Sequence, residues 1–154
     1  MRLTVIGATL ALGAMACGGK KADQAQTQAA AQPAAEAAPA APAGPVVEVK
    51  MTGTGTTAAF EPKELNIAAG TTVRFINVSG GPHNISFWSD SIPAGAADVL
   101  KKAMPEQLAD LEGKLLVQPN DHYDVSFAGA PAGVYKGYCM PHLALGMRIN
   151  ITVK

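Results

Sequence analysis

The sequence predicts an all-β sandwich of eight strands with a short helical insertion around residues 94–112. Three observations predict it: short β-branched or alternating runs from Pro45 onward, turn residues at the breaks between them, and one stretch with helical rather than strand spacing. The strands are expected at Val46–Lys50, Glu64–Ile67, Thr71–Asn77, Asn84–Phe87, Lys114–Val117, His122–Phe127, Gly133–Tyr138 and Met147–Val153. In Thr71–Asn77, Val73, Phe75 and Asn77 share one face while Arg74 and Ile76 share the other, the period of two that a half-buried strand requires. Ala69-Gly70, Ser79-Gly80-Gly81-Pro82 and the run Gly129 to Gly133 separate strands with residues that tolerate turn dihedrals. Between Ala94 and Glu112, Leu100, Met104, Leu108 and Leu111 recur at helical spacing with charges between them. Pro105 interrupts that pattern, so two short helices or turns lying across one side of the sandwich are expected, not one long helix.

The first third of the chain has a different character. Arg2 followed by the uncharged apolar run Leu3–Ala16 reads as an export signal over residues 1–16, too short to span a bilayer comfortably. It ends in Ala14-Met15-Ala16-Cys17-Gly18, which resembles a bacterial lipobox and makes Cys17 the expected lipidation site, with Ala14 a weaker fit than leucine. Residues 17–44 are then a lipidated cysteine and a flexible Ala/Pro/Gln-rich linker without large apolar residues from Lys20 on, and residues 45–154 the folded domain. As a coil, the linker reaches roughly 25–30 Å. The expected location is exported, on the periplasmic or cell-surface side, anchored to a membrane through lipid on Cys17.

Charge excludes one class of partner. The chain has 12 Lys and Arg against 12 Asp and Glu, with no basic stripe, so nucleic acid is not expected as a partner. The chain has two cysteines, and lipidation of Cys17 leaves Cys139 as a lone thiol in an oxidising compartment. A metal would protect it.

The chemistry converges on one loop. Cys139, His142 and Met147 place a thiol, an imidazole and a thioether between the last two strands. With three His and six Met in 154 residues, both spacings from a given cysteine arise by chance about once in 1,300, so coincidence is a poor explanation. Thiolate and thioether favour Cu(I) and imidazole suits both oxidation states, so a His₂Cys set with a weak axial Met binds Cu(I) and Cu(II) with little rearrangement. Zinc competes less well because its sites avoid thioether, although it could fill the site in a metal-exchanged preparation. His83, which starts a strand just after Ser79-Gly80-Gly81-Pro82, is the candidate second histidine. His122, between Asp121 and Tyr123, reads as a solvated surface residue.

These residues and their flanks, Gly81-Pro82-His83-Asn84-Ile85-Ser86-Phe87, Ser91-Ile92-Pro93-Ala94-Gly95 and Gly133 to Tyr138 leading into Cys139, resemble the plastocyanins within the wider cupredoxin family. The resemblance runs from about Val46 to Lys154. It implies an eight-stranded Greek-key, cupredoxin-like sandwich with one type I copper held at one end by His83, Cys139, His142 and Met147. It further implies that Asn84 ties the two ligand-bearing loops together and that Tyr138, beside Cys139, offers an electron path in addition to His142. Redox donor and acceptor proteins would dock on an apolar surface around His142, formed by Leu143, Ala144, Leu145 and Pro82 with Gly80 and Gly81. Where plant-type plastocyanins carry acidic clusters, this chain has Phe87-Trp88-Ser89-Asp90 and Lys101-Lys102, so a photosynthetic partner is not supported.

The expected function is therefore one-electron transfer between extracytoplasmic redox partners by a blue copper site cycling Cu(II)/Cu(I). The alternative is a copper carrier or storage lipoprotein, against which Met1, Met15, Met51 and Met104 are scattered instead of clustered. Enzyme readings fit less well: a Cys139 nucleophile would leave Met147 without purpose, and a substrate-binding copper needs more histidines than His122.

Overall fold

A computed structural model describes residues 44–154; the expected export signal, Cys17 and the linker up to residue 43 lie outside the described residues. The described chain folds into two four-stranded sheets packed face to face. The strands are β1 (Val46–Gly53), β2 (Ala58–Glu61), β3 (Glu64–Ile67), β4 (Thr72–Asn77), β5 (Ser86–Phe87), β6 (His122–Ser126), β7 (Gly133–Tyr138) and β8 (Arg148–Val153). The first sheet runs β2-β1-β4-β6 and the second β3-β8-β7-β5. Both sheets are mixed, because β1 lies parallel to β4 and β3 parallel to β8 while the other pairs are antiparallel.

Alternation drives the packing. In β4, Val73, Phe75 and Asn77 turn inward and Arg74 and Ile76 outward; in β8, Ile149, Ile151 and Val153 are the buried set. These meet Val49, Met51, Phe60, Val125, Phe127 and Tyr135 in one core. Each such side chain contributes about 1.5–3 kcal/mol by leaving water. Phe127 stands edge-on to both Tyr135 (5.2 Å) and Phe87 (6.4 Å), the geometry that aromatic quadrupoles favour. The buried Tyr135 keeps its polar end satisfied by donating to the Pro131 carbonyl at 2.7 Å.

Three elements depart from expectation. Ala58–Glu61, not anticipated, is a strand because β1 extends to Gly53 and a turn closed by Thr54 N–H to the Thr57 carbonyl (2.7 Å) folds the chain back on it. Lys114–Val117 is not a strand: Leu116 forms a single bridge to His83, exchanging both backbone hydrogen bonds (3.0 and 2.7 Å). The expected Asn84–Phe87 strand shrinks to Ser86–Phe87, because the Asn84 N–H points to the Cys139 sulfur at 3.5 Å instead of joining a ladder.

The insertion contains one helix, α1 (Ala96–Ala103), with Asp98 in its first turn and Lys101 and Lys102 in its last, each placed to suit the helix dipole. It stops where Pro105 forces Met104 into an extended conformation. Gln107 then caps the end, donating to the carbonyls of Lys101 (2.8 Å) and Met104 (2.9 Å). Beyond that point the helical spacing has no helix behind it: Leu111 is buried but Leu108 is 55% exposed. Among the described residues no helix is long and apolar enough to cross a membrane.

Candidate metal centre

Among the described residues, one group of metal-ligating side chains converges: the ligand atoms of His83, Cys139 and His142 all lie within 4.8 Å of one another. The Cys139 sulfur is 3.6 Å from His83 Nδ1 and 3.5 Å from His142 Nδ1. The two imidazole rings sit 4.6 Å apart, tilted by 51°. His83 and Cys139 are fully buried, and His142 is half-buried at the rim.

Cys139, His142 and Met147 are placed by the β7–β8 hairpin. Cys139 follows the last residue of β7 and Met147 precedes the first of β8, and the Cys139 N–H donates to the Met147 carbonyl at 3.1 Å, closing the loop. Inside it, a short 3₁₀ turn, Leu143–Leu145, ends in Gly146 with a left-handed backbone. The Met147 N–H returns to the His142 carbonyl (3.3 Å), and the Met147 side chain is fully buried.

His83 is placed by contacts from farther along the chain. Its backbone is bridged to Leu116, and its Nε2 lies 2.9 Å from the Ser79 carbonyl. A carbonyl only accepts, so Nε2 carries the proton and the Nδ1 lone pair faces Cys139. Asn77, buried at the end of β4, donates from Nδ2 to the carbonyls of Leu116 (3.1 Å) and Gln118 (3.0 Å). Gly81 packs against that amide so closely that a Cβ there would approach Nδ2 to 2.8 Å. Gly80 has φ +74°, and a Cβ on it would meet the Gly53 backbone at 2.3 Å, so the loop is seated directly on the end of β1.

Asn84 joins the two segments. Its backbone N–H donates to the Cys139 sulfur (3.5 Å), its Oδ1 accepts from the Met140 N–H (2.8 Å), and its Nδ2 donates to the Gly113 carbonyl (3.2 Å). The sequence singled out His83 and Asn84 but gave no signal for the carbonyl of Ser79, a backbone group, or for the amide of Asn77, whose partners lie 39 and 41 residues farther along the chain.

The electrostatics suit a cation. Burial, reinforced by the neighbouring His142 and opposed by the Ser79 hydrogen bond, pushes the His83 pKa down and keeps the ring neutral, the form that ligates. Burial pushes the Cys139 thiol up, against the backbone N–H groups of Asn84 and His142 that pull it down. A metal ion supplies the positive charge that would make this thiol ionise. Two imidazoles, a thiol and the buried thioether of the Cys139 loop fit copper better than zinc, whose sites do not use thioether.

The remaining expected residues divide between the rim and the surface. Pro82, Ala144, Leu145, Gly80 and Gly81 are exposed and Leu143 is half-buried; Met140, 45% exposed, joins this apolar rim without having been singled out. Tyr138 is half-buried, and its ring stacks on Trp88. His122 is exposed on β6.

A family model described as copper binding proteins, plastocyanin/azurin family, matches residues 47–154. Over 106 residues the chain is 40% identical to the chloroplastic plastocyanin of Silene latifolia subsp. alba, covering 69% of this chain and 59% of that protein. Over 107 residues it is 39% identical to the plastocyanin of Ginkgo biloba, covering 70% of this chain and 99% of that one. The chain spans about three-fifths of the length of the first curated relatives it matches. Among solved structures, the oxidised form of plastocyanin from Dryopteris crassirhizoma matches with a TM-score of 0.55 at 30% identity, covering 70% of this chain and 100% of that one.

Proposed function

Because the chain belongs to the plastocyanin/azurin family of copper-binding proteins, we propose that it is a one-electron carrier whose type I copper is held by His83, Cys139, His142 and Met147. The observation that carries this reading is the convergence of two imidazole nitrogens and one thiol sulfur within 4.8 Å, on a loop that also buries Met147. Bound copper supplies a Cu(II)/Cu(I) couple.

The residues around it have separate tasks. Ser79 fixes the His83 ring through Nε2, so the ligand nitrogen is aimed before the metal arrives. Asn84 locks the Met140 backbone and shares a hydrogen with the sulfur, which tempers the charge of the thiolate and moderates its donation to the metal. Full burial of His83, Cys139 and Met147 keeps water away, so little solvent reorganises when charge changes. His142 reaches the rim and brings the site to the surface among Pro82, Leu143, Ala144 and Leu145, where a redox donor or acceptor docks; Tyr138 offers a second way out through its bond to Cys139. The function is that of a carrier and not of an enzyme, since Met147 would serve no purpose beside a nucleophilic Cys139.

The sequence supports the remaining setting. Residues 1–16 act as a lipoprotein-type export signal, lipid on Cys17 holds the protein to a membrane on the periplasmic or cell-surface side, and residues 17–44 tether the copper domain of residues 45–154. Replacement Cys17→Ser releases the protein from membranes if this is correct; continued membrane association overturns the anchor.

Optical titration of the purified protein with Cu(II) tests the central reading. An intense thiolate-to-Cu(II) absorption, bleached by ascorbate and restored by reoxidation, is expected. A colourless Cu(II) complex, or one reduced irreversibly, overturns electron transfer and favours a copper carrier or store.

A further inference from the structure

Sulfur is unevenly placed around the candidate centre. Among the described residues five side chains carry it, and four are sealed: Cys139, Met51 and Met147 are fully buried and Met104 is 2% exposed. Met140 is the exception. It is 45% exposed, bonded directly to Cys139 and two residues before His142, on the apolar rim that Pro82, Ala144 and Leu145 also form.

The backbone beneath this thioether is fixed. The Met140 N–H donates to Asn84 Oδ1 at 2.8 Å, and the Met140 carbonyl accepts from the Leu143 N–H at 3.4 Å. The side chain can therefore change its chemistry without moving the loop. An oxygen added to the exposed thioether of Met140 is hydrated at once, whereas one added to Met51, Met104 or Met147 would enter the core without a hydrogen-bond donor. Solvent-borne oxidants thus meet one thioether at the rim and are kept from the other three.

We propose that Met140 is a reversible oxidation site, at which a hydroperoxide converts the thioether to a sulfoxide and so closes the apolar rim to redox partners while leaving the copper ligands intact. The inference rests on the reading of that rim as the docking surface of an electron carrier. In the forward step the O–O bond of hydrogen peroxide breaks and an S–O bond forms; sulfur gives up two electrons and the second oxygen leaves as water. A methionine sulfoxide reductase reverses it with two electrons from a dithiol, which becomes a disulfide, and the sulfoxide oxygen leaves as water. The consequence for docking is one of polarity. A partner would have to strip water from the sulfoxide oxygen, and the side chains of Pro82, Leu143, Ala144 and Leu145 offer it no donor in return.

Two measurements on the full chain test the switch. The first needs no metal: the metal-free protein is treated with limiting hydrogen peroxide and its peptides are followed by mass spectrometry, with fragment spectra separating Met140 from Met147. Met140 is expected to oxidise about tenfold or more faster than Met51, Met104 and Met147. Equal rates, or Met147 leading, overturn the site whatever copper does.

The second uses the Cu(II) protein, treated with peroxide and then freed of it, and reads electron self-exchange between two copies by NMR line broadening in partly reduced samples. Self-exchange is expected to slow by about threefold or more with the visible spectrum unchanged, and to recover after treatment with reductases for both sulfoxide epimers. Met140→Gln, which places a permanent polar group there, is expected to start slow with the same spectrum. Met140→Leu, whatever its starting rate, is expected to give one rate before and after peroxide; if it slows as the parent does, oxidation acts elsewhere and the switch is overturned. If the spectrum is intact and peroxide leaves the parent's self-exchange unaltered, the switch is overturned and the carrier reading stands. If no reversible colour forms at all, the carrier reading falls and the switch falls with it.

Discussion

The two segments that deliver the candidate ligands are held by unlike means. Cys139, His142 and Met147 arrive on a hairpin loop that closes on itself, with Cys139 N–H to the Met147 carbonyl and Met147 N–H to the His142 carbonyl. His83 arrives on a loop held by distant parts of the chain, Leu116 along its backbone and Gly53 beneath Gly80, and by near neighbours, Asn77 against Gly81 and the Ser79 carbonyl on its own Nε2. The hairpin carries its own geometry, whereas the His83 loop borrows its geometry from β1, β4 and the segment before β6. Asn84 is where the two meet. Local closure fixes which ligands are present; long-range packing fixes the angle at which the last one joins them.

This contrast can be broken most severely at Cys139. Cys139→Ser should abolish the intense visible absorption of the Cu(II) protein, since a hydroxyl is neither soft nor ionised at neutral pH; absorption of unchanged intensity would remove Cys139 from the ligand set. Asn77→Ala probes the borrowed geometry. It deletes two hydrogen bonds, while the Leu116 and Gln118 carbonyls keep the N–H groups of His83 and Asp121, so chemical denaturation of the metal-free protein should show a loss of about 1–3 kcal/mol for the two bonds together. Copper affinity should fall with it, and a destabilised protein with unaltered copper affinity would uncouple this amide from the site. Met147→Leu, on the self-closed loop, should keep the colour and shift the reduction potential, because an axial thioether is a weak ligand; redox titration decides, and a colourless Cu(II) protein would contradict that role.

Away from both segments the effects should be smaller. Arg74 grips Asp124 through two hydrogen bonds of 2.8 Å on the outer face of the first sheet. The hydrogen bond from Arg74 holds the Asp124 pKa below its ordinary value of 3.8. The stabilisation is therefore present above that value and lost as pH falls through the lower value of the folded state. Asp124→Asn should cost about 1 kcal/mol at neutral pH after screening by solvent, and the gap between variant and parent should close on acidification below the ordinary carboxylate value. A gap independent of pH would mean that the pair contributes through shape and not charge. His122→Ala should leave the visible spectrum as it is, and a changed spectrum would mean that the wrong histidine has been assigned.

Legibility followed the same division. Cys139, His142 and Met147 were readable because their spacing along the chain is their spacing in the site. Core strands such as Thr72–Asn77 and Arg148–Val153 were readable because alternation alone specifies the buried face. Ala58–Glu61 was not, since its small and polar residues form a strand only by pairing with β1. Lys114–Val117 looked like a strand because it is apolar and β-prone, yet its backbone serves to hold His83. Leu108 shared the helical spacing of Leu100 and Met104, but Pro105 had already ended the helix. Ser79 and Asn77 act through a carbonyl and an amide, which leave no residue pattern to read.

Gly80 narrows what this architecture can exchange. With a positive φ and the Gly53 backbone 2.3 Å from where a Cβ would stand, position 80 admits one residue, and Gly53 must remain where it is. The β7–β8 loop meets the other ligand segment through Asn84, which holds the Met140 N–H and the Cys139 sulfur, and with that asparagine supplied it could be transplanted as a cassette onto another hairpin, taking three donor atoms with it. The loop before His83 could not travel alone, because its shape is stored in the scaffold beneath it. An engineer retuning this centre would vary the cassette freely and leave the seat untouched.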